Sequence, residues 1–451
     1  MVDTKNRRIR LVMLPWLAHG HIFPFLELAK KLTHRNFHIY ICSTPVLVNS
    51  IKPKLSPHPN NYNSIEAVEL HLPSTPDLPP HYHTTKGLPP HLMPTLMKAF
   101  DMSDTRANFF NIVESVKPDL IIHDFLPSWV TEVASSLNIP TIAFLTSGAT
   151  VFSFGIHLSK KKDEEFPFPE IYTDSLKKKF MKMVETSYAR NNNNKGLQFY
   201  ERSCKIVLMK SFRELEEKYM DYLSASFGKK IIPVGPLVQE PVHDDNEGMD
   251  IINWLNTKEK SSTVYVSFGS ECYPSKEDVE EIAHGLELSN VNFIWVVRFP
   301  EGDKMKLDEA LPDGYLGRIR DRGIVVENWA PQIKILDHSS TGGFVSHCGW
   351  GSLMESIRFG VPIIAIPMQH DQPWNARLAE VSGVGVEVKR DDSDRVCREN
   401  VAKVIKEVVV EKYGEDIRRR TKEMKGNIAR KVDEEIDEVA KEILQVVEMY
   451  N

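Results

Sequence analysis

A chain of 451 residues exceeds the roughly 250–300 residues at which one hydrophobic core stops growing, so about two domains are expected. With 41% hydrophobic and 26% charged residues it is neither mainly disordered nor collagen-like. Its net charge of −6 gives no bulk attraction to nucleic acid, and no run approaches the ~18 apolar residues of a membrane span.

The N-terminal MVDTKNRRIRLVMLPW has only a short apolar run before Pro15 and reads as a first strand, not a secretion signal. Further strands are expected from short β-branched or apolar runs, beginning with Ile9–Leu14, Phe37–Ser43, Ala67–Leu72, Leu120–His123, Thr141–Leu145 and Ile206–Met209. Helices such as Pro24–Thr33 and Ser128–Leu137 fall between them. In the second half the strands are Thr263–Phe268, Phe293–Val297, Ile324–Val326, Gly343–Val345, Pro362–Ile366 and Val384–Val388. They alternate with helices Lys276–Leu288, Ser352–Arg358 and Trp374–Val381. Alternation of this kind predicts an α/β protein with parallel sheets and crossover helices.

The pattern breaks once, near PVGPLVQEPVHDDNEGMD, which is rich in Pro, Gly and acids and reads as a linker. The expected division is a first domain over 1–237, a linker over 238–250, a second domain over 251–430, and a C-terminal helix over 431–451 packing back on the first. Ligands of open α/β sheets bind beyond the strand carboxyl ends, so a two-substrate site is expected in the intervening cleft. From Val401 onward the pattern is helical, and the alternating charge clusters Arg418–Arg420 and Glu434–Glu435 read as a solvated face. The runs Lys160–Lys162, Lys177–Lys179 and Asn191–Asn194 read as mobile surface segments, plain loops or lids. Five cysteines, at 42, 204, 272, 348 and 397, form no Cys-x-x-Cys pair, so neither a zinc ribbon nor a disulfide framework is indicated, and the reducing cytosol is the expected compartment.

Chemistry concentrates in residues 329–372, WAPQIKILDHSSTGGFVSHCGWGSLMESIRFGVPIIAIPMQHDQ. The strand Gly343–Val345 runs through Ser346-His347-Cys348-Gly349-Trp350-Gly351-Ser352 into a helix. Glycines there allow close backbone approach, and a helix start offers unsatisfied N–H groups at the positive end of its dipole. With Ser352 as a cap and His347 as a further donor, this is a phosphate or pyrophosphate site. Glu355 is placed either to bind a ribose diol or to complete a capping box with Ser352. Trp329 offers a flat face for a nucleobase, or is a core tryptophan.

This block resembles the signature box of plant secondary-product UDP-glycosyltransferases in its 44-residue length, opening WAPQ, central HCGW, the Glu and the closing DQ. The resemblance extends to GHIFPFLELAKKL near the N-terminus and to SFGS at 267–270. It implies the GT-B fold, two facing Rossmann-like domains with an intervening cleft. It also implies roles for the donor, UDP-glucose, which is a substrate; no cofactor and no metal are expected. Trp329 would stack on uracil, with Ala330 giving backbone contacts and Gln332 reaching the ribose. Glu355 would hold the ribose hydroxyls. His347, Ser352 and Ser270 would hold the diphosphate. Trp350, Asp371 and Gln372 would contact the sugar, a terminal Gln favouring glucose over galactose. The sequence departs from the family at Gly351, where an asparagine is usual, so one phosphate-directed side chain is missing.

On the acceptor side, Ala18-His19-Gly20-His21 follows the first strand and Asp124 ends the strand Asp119–Asp124. The resemblance makes His21 the base and Asp124 its partner, with His19 and His123 as neighbours; otherwise His21 is a structural histidine. A neutral imidazole, ordinarily titrating near ~6.5, would take the acceptor hydroxyl proton while the carboxylate fixes its tautomer. One displacement would invert the anomeric carbon. The triplet Asp392-Ser393-Asp394 mimics a metal-binding DxD but reads as a surface loop. Residues 71–94, HLPSTPDLPPHYHTTKGLPPHLMP, line an acceptor channel or form an inert surface loop.

The sequence is most similar to the branch-forming subgroup, which adds a sugar to a sugar already on a small molecule. A triterpenoid or flavonoid glycoside is the expected acceptor, handled by a monomer without nucleic acid or membrane. Direct glucosylation of an aglycone hydroxyl is the alternative. A nicotinamide oxidoreductase is a poor fit, because the nearest fingerprint, Gly383-Val-Gly385, has Val388 where its third glycine belongs. A non-catalytic sugar-nucleotide binder would require a broken dyad, and both His21 and Asp124 are present.

Overall fold

The computed structural model describes residues 7–55, 64–161, 164–186, 205–241, 247–299 and 305–450. The chain forms two units. Unit one comprises Met1–Phe166, Lys177–Leu237 and Lys431–Asn451; unit two comprises Pro167–Leu176 and Val238–Arg430. The segment Pro167–Leu176, expected in the first domain, therefore clusters with the second.

Unit one is built on a parallel sheet of β1 (Ile9–Leu14), β2 (Phe37–Ser43), β3 (Ile65–Glu69), β4 (Leu120–Asp124), β5 (Thr141–Leu145), β6 (Ile206–Met209) and β7 (Lys230–Pro233). Its order is β3-β2-β1-β4-β5-β6-β7. β4 and β5, LIIHD and TIAFL, are buried along their whole length, as strands covered on both faces must be. Helices α1 (His19–Thr33), α2 (Ala149–Lys160) and α3 (Arg213–Phe227) pack around it. In α1 the buried Ile22, Phe25, Leu26, Ala29 and Leu32 recur at helical spacing, and Lys30 and Lys31 sit in the last turn, where cations suit the dipole.

Unit two has β8 (Thr263–Ser267), β9 (Asn292–Val297), β10 (Gly323–Glu327), β11 (Thr341–Ser346), β12 (Ile363–Ala365) and β13 (Gly385–Glu387), in the order β10-β9-β8-β11-β12-β13. All its pairings are parallel. The helices that shape its site are α4 (Gln332–Asp337), α5 (Trp350–Phe359) and α6 (Gln372–Val381). A 39-residue helix, α7 (Lys412–Tyr450), is the last element. Its Ile436, Val439, Ile443 and Val447 are buried in the core of unit one.

Several expected boundaries move. α1 starts at His19 rather than Pro24, so His21 lies in its first turn and Pro24 inside the helix. The third strand is Ile65–Glu69, not Ala67–Leu72, and β7 was not expected. α5 begins at Trp350 with Gly349 as its cap residue, so Ser352 is inside the helix and caps nothing. Lys177–Lys179 belong to the helix Asp174–Thr186 rather than to a loop. Lys162, the Asn191–Asn194 run and part of the linker lie outside the described residues.

Candidate active site

In each unit the first strand has neighbours that continue the chain in opposite directions across the sheet. In unit one that reversal falls between β1 and β4, in unit two between β8 and β11. Such switch points open a crevice at the strand carboxyl ends. His21 and Asp124 follow the switch-point strands of unit one, and Ser270 and His347 those of unit two.

In unit one, Leu14 of β1 is level with His123 of β4, so the next residues of both strands reach the same rim. His21 Nδ1 lies 2.7 Å from Asp124 Oδ2. The Asp124 carboxylate is fully buried and also accepts from the Trp16 and Leu126 amides, at 3.3 and 3.4 Å. A carboxylate has no proton to give, so the imidazole proton sits on Nδ1 and Nε2 carries the basic lone pair. Thr146, directly after β5, places Oγ1 3.0 Å from the same Nδ1. No motif pointed to Thr146; a threonine after a strand is ordinary in sequence.

The neighbouring histidines have other duties. His123 is wholly buried, joins its Nδ1 to the Asp124 carbonyl at 2.7 Å, and is pushed down in pKa by burial. His19 leans on the Phe23 ring at 5.1 Å, and burial, then Lys86 and Lys54, lower its pKa to about 4. Residues 71–94 are partly buried. His83, Thr84, Thr85 and Leu88 are buried, and Thr85 N donates to the Leu17 carbonyl at 2.9 Å, just ahead of α1. Thr44 Oγ1 holds the His83 carbonyl at 2.7 Å.

In unit two, β8 ends at Ser267 and leads through Gly269 to Ser270, while β11 ends at Ser346 and leads to His347. Ser346 Oγ accepts from the Cys348 amide at 3.2 Å, leaving its proton for His347 Nδ1 at 3.3 Å. With the hydroxyl proton so placed, the ring proton is on Nε2. Burial, then the charge of His370, lowers the His347 pKa to about 4, so the ring is neutral at neutral pH. Two glycines make room for it. A Cβ on Gly269, whose φ is +78°, would come within 2.8 Å of the ring, and one on Gly349 within 2.6 Å. The first-turn amides of α5 have no intrahelical acceptor, which leaves them for an anion.

Trp329 is 48% exposed, so it is not a core tryptophan. Ala330 beside it is buried. Gln332, the first residue of α4, donates through Nε2 to Glu355 on α5, and its Oε1 accepts from the Tyr265 hydroxyl at 3.2 Å. Glu355 is thus held from α4, and the capping-box reading falls with the position of Ser352. Trp350 is buried at 3% exposure. Gln372 is also buried, and its Oε1 accepts from the Met368 and Gln369 amides at 2.9 and 2.8 Å. Its carbonyl oxygen therefore shapes the loop before α6, ending beside the partly exposed Asp371. Asp392 and Asp394 lie in an exposed turn organised by Asp391 and Arg395. Among the described residues no group of three or more His, Cys, Asp or Glu is placed to hold a metal ion, and no helix is long and apolar enough to cross a membrane.

Comparison with known proteins agrees with this geometry. The family described as "Glycosyltransferase, N-terminal domain" matches residues 7–239, and "UDP-glucoronosyl and UDP-glucosyl transferase" matches residues 220–426. The chain is similar to a mogroside IIIx synthase of Siraitia grosvenorii, 54% identical over 96% of this chain and 92% of that protein. It is similar to a beta-D-glucosyl crocetin beta-1,6-glucosyltransferase of Gardenia jasminoides, 49% identical over 96% and 98%. Among solved structures, Phytolacca americana UGT2 with UDP-2-fluoro-glucose and pterostilbene has a TM-score of 0.79 at 26% identity, covering 98% of this chain and 100% of that one.

Proposed function

Because the chain belongs to the UDP-glycosyltransferase family and has its GT-B fold, we propose that it transfers glucose from UDP-glucose to a sugar hydroxyl of a small-molecule plant glycoside, of triterpenoid or flavonoid type. The relatives named for mogroside and glucosyl-crocetin chemistry support sugar-on-sugar transfer, since their similarity runs through nearly the whole chain. The observation that carries the catalytic reading is the 2.7 Å contact between His21 Nδ1 and the buried Asp124 carboxylate.

His21 Nε2 takes the proton of the attacking hydroxyl, and Asp124 stabilises the imidazolium that results. The hydroxyl oxygen forms its bond to the anomeric carbon as the bond to UDP breaks, so the configuration inverts. Developing charge on the diphosphate is met by the α5 N-terminus, the His347 Nε2 proton and Ser270. In this scheme protein donors serve where other transferases use a divalent cation. Trp329 supplies the base-stacking face, and Gln332 with Glu355 takes the ribose. The enzyme works as a cytosolic monomer.

The test is a panel of monoglucosides and their aglycones with UDP-glucose, read by UDP release and by product linkage. Turnover restricted to glycosides supports the reading. Turnover restricted to aglycones replaces it with direct glucosylation, and no release with any acceptor removes it.

A further inference from the structure

Glu216 is a charged residue with no exposure. It sits within α3, where the backbone leaves helical geometry at φ −131° and ψ 18°. Its carboxylate collects four donors. Oε2 accepts from the Ala149 amide at 2.8 Å and from Ser211 Oγ at 2.7 Å. Oε1 accepts from the Thr150 amide at 2.8 Å and from Thr150 Oγ1 at 2.7 Å.

Ala149 and Thr150 are the first two residues of α2, and the residue before them, Gly148, offers no side chain to cap the helix. Glu216 supplies that cap from another element, at the positive end of the α2 dipole. Burial pushes its pKa up, against the four donors that favour the charged form. Each carboxylate oxygen receives one backbone amide, and amides only donate. A glutamine would face one of them with its own NH₂ group, whichever way it turned.

Only Ser147 and Gly148 separate this anchored helix start from Thr146, which is 4% exposed. On its other side Thr146 is fixed by β5. The turn between β5 and α2 is thus clamped at both ends, and its product is one hydroxyl oxygen 3.0 Å from His21 Nδ1. With the proton of Nδ1 directed at Asp124, Thr146 Oγ1 is a second acceptor for it.

We propose that Glu216 is a positioning residue for the dyad, holding the β5–α2 turn so that the Thr146 hydroxyl stays on His21 Nδ1. The proposal rests on the transferase reading of His21 and Asp124. A second acceptor on Nδ1 favours the imidazolium, so losing it lowers the pKa of the base and moves the acid limb of the pH profile to lower pH.

The experiment compares wild type, Glu216→Gln, Thr146→Val and the double variant by UDP release across pH, with UDP-glucose and an accepted glycoside. A wild type inactive on every acceptor ends the transferase reading itself, independently of Glu216. With an active wild type, Glu216→Gln is expected to lower kcat about tenfold or more while KM for UDP-glucose changes less than about threefold. Its acid limb should shift in the same direction as that of Thr146→Val, and the double variant should lose no more than the weaker single. Losses that multiply in the double variant, or an acid limb at the wild-type position, overturn the proposal. Should Glu216→Gln not fold, Ser211→Ala removes one donor and leaves the carboxylate; a smaller shift of the acid limb supports the proposal, and an unmoved limb overturns it.

Discussion

His21 keeps 21% of its side chain exposed while Asp124, 2.7 Å away, keeps none. The exposed part of the pair is the imidazole, and the carboxylate it touches is inside. Asp124→Asn removes the carboxylate charge that stabilises the imidazolium beside Nδ1. The expected loss in kcat is ~10²–10⁴-fold, and His21→Ala should lose at least as much. Binding of UDP-glucose, measured by calorimetry, should stay close to wild type in both. Undiminished turnover in either variant takes the base away from His21.

Glu355 is gripped by Gln332, which is itself held by Tyr265. A carboxylate fixed in this way can accept a ribose diol without reorganising. Glu355→Ala is expected to weaken UDP-glucose binding about tenfold to a hundredfold, the loss of hydrogen bonds to a charged acceptor worth ~1.5–3 kcal/mol. KM for the glycoside should change little. Equal losses for donor and acceptor would mean that Glu355 serves the fold.

Gly351 is exposed in the first turn of α5, and a Cβ there would meet nothing within 4 Å. A Cβ therefore fits there without rearrangement. Gly351→Asn is expected to tighten UDP-glucose binding, and also to stabilise the protein by a few tenths of a kcal/mol, because glycine is a poor helix residue. A weaker Kd would show that this site uses the bare backbone.

Gly269 is the reverse case. Its φ of +78° and the 2.8 Å approach of a Cβ to His347 make alanine both strained and crowded. Gly269→Ala is expected to cost about 1–3 kcal/mol in a denaturant titration, with donor binding weakened because His347 must move. A midpoint at the wild-type value would show that the ring is not confined.

Acid should act on stability before it acts on the donor site. The unfolded chain protonates position 347 near the ordinary ~6.5, the native chain only at about 4. Between those values the unfolded state binds more protons, so His347 contributes stability that is present above pH ~6.5 and lost as pH falls toward 4. His19, also at about 4, adds in the same direction. Melting temperature should fall across this window, and less so in His347→Gln. The Kd for UDP-glucose should stay flat from about pH 5.5 to 8, since His347 remains neutral there. A donor affinity that rises on acidification would mean a charged His347.

Most candidate residues of the second unit were legible in the sequence because they lie on one continuous stretch, residues 329–372, where strand, turn and helix follow without interruption; Ser270 follows β8 instead. Its local geometry was harder. Proline is favoured in a first turn, so Pro24 suggested the start of α1, yet the helix runs through it from His19. Serine in front of an apolar run suggested a cap at Ser352, while the glycine before Trp350 holds that position. β7 is four residues ending in proline, too short for its period to be read. Thr146 and Glu216 had no local signal at all. The bond from Ala149 to Glu216 spans 67 residues and exists only once the sheet and two helices have assembled.

Unit one takes its last helical stretch, from Lys431 to Tyr450, from beyond the whole of unit two. On the ribosome its apolar face must wait, because Ile436, Val439 and Ile443 emerge after nearly everything else has been synthesised. A fragment ending at the linker would leave that patch of the first core open to water, and it should aggregate or bind chaperones. Separate expression of the first unit calls for the closing helix to be supplied as well, grafted behind a short connector or added in trans.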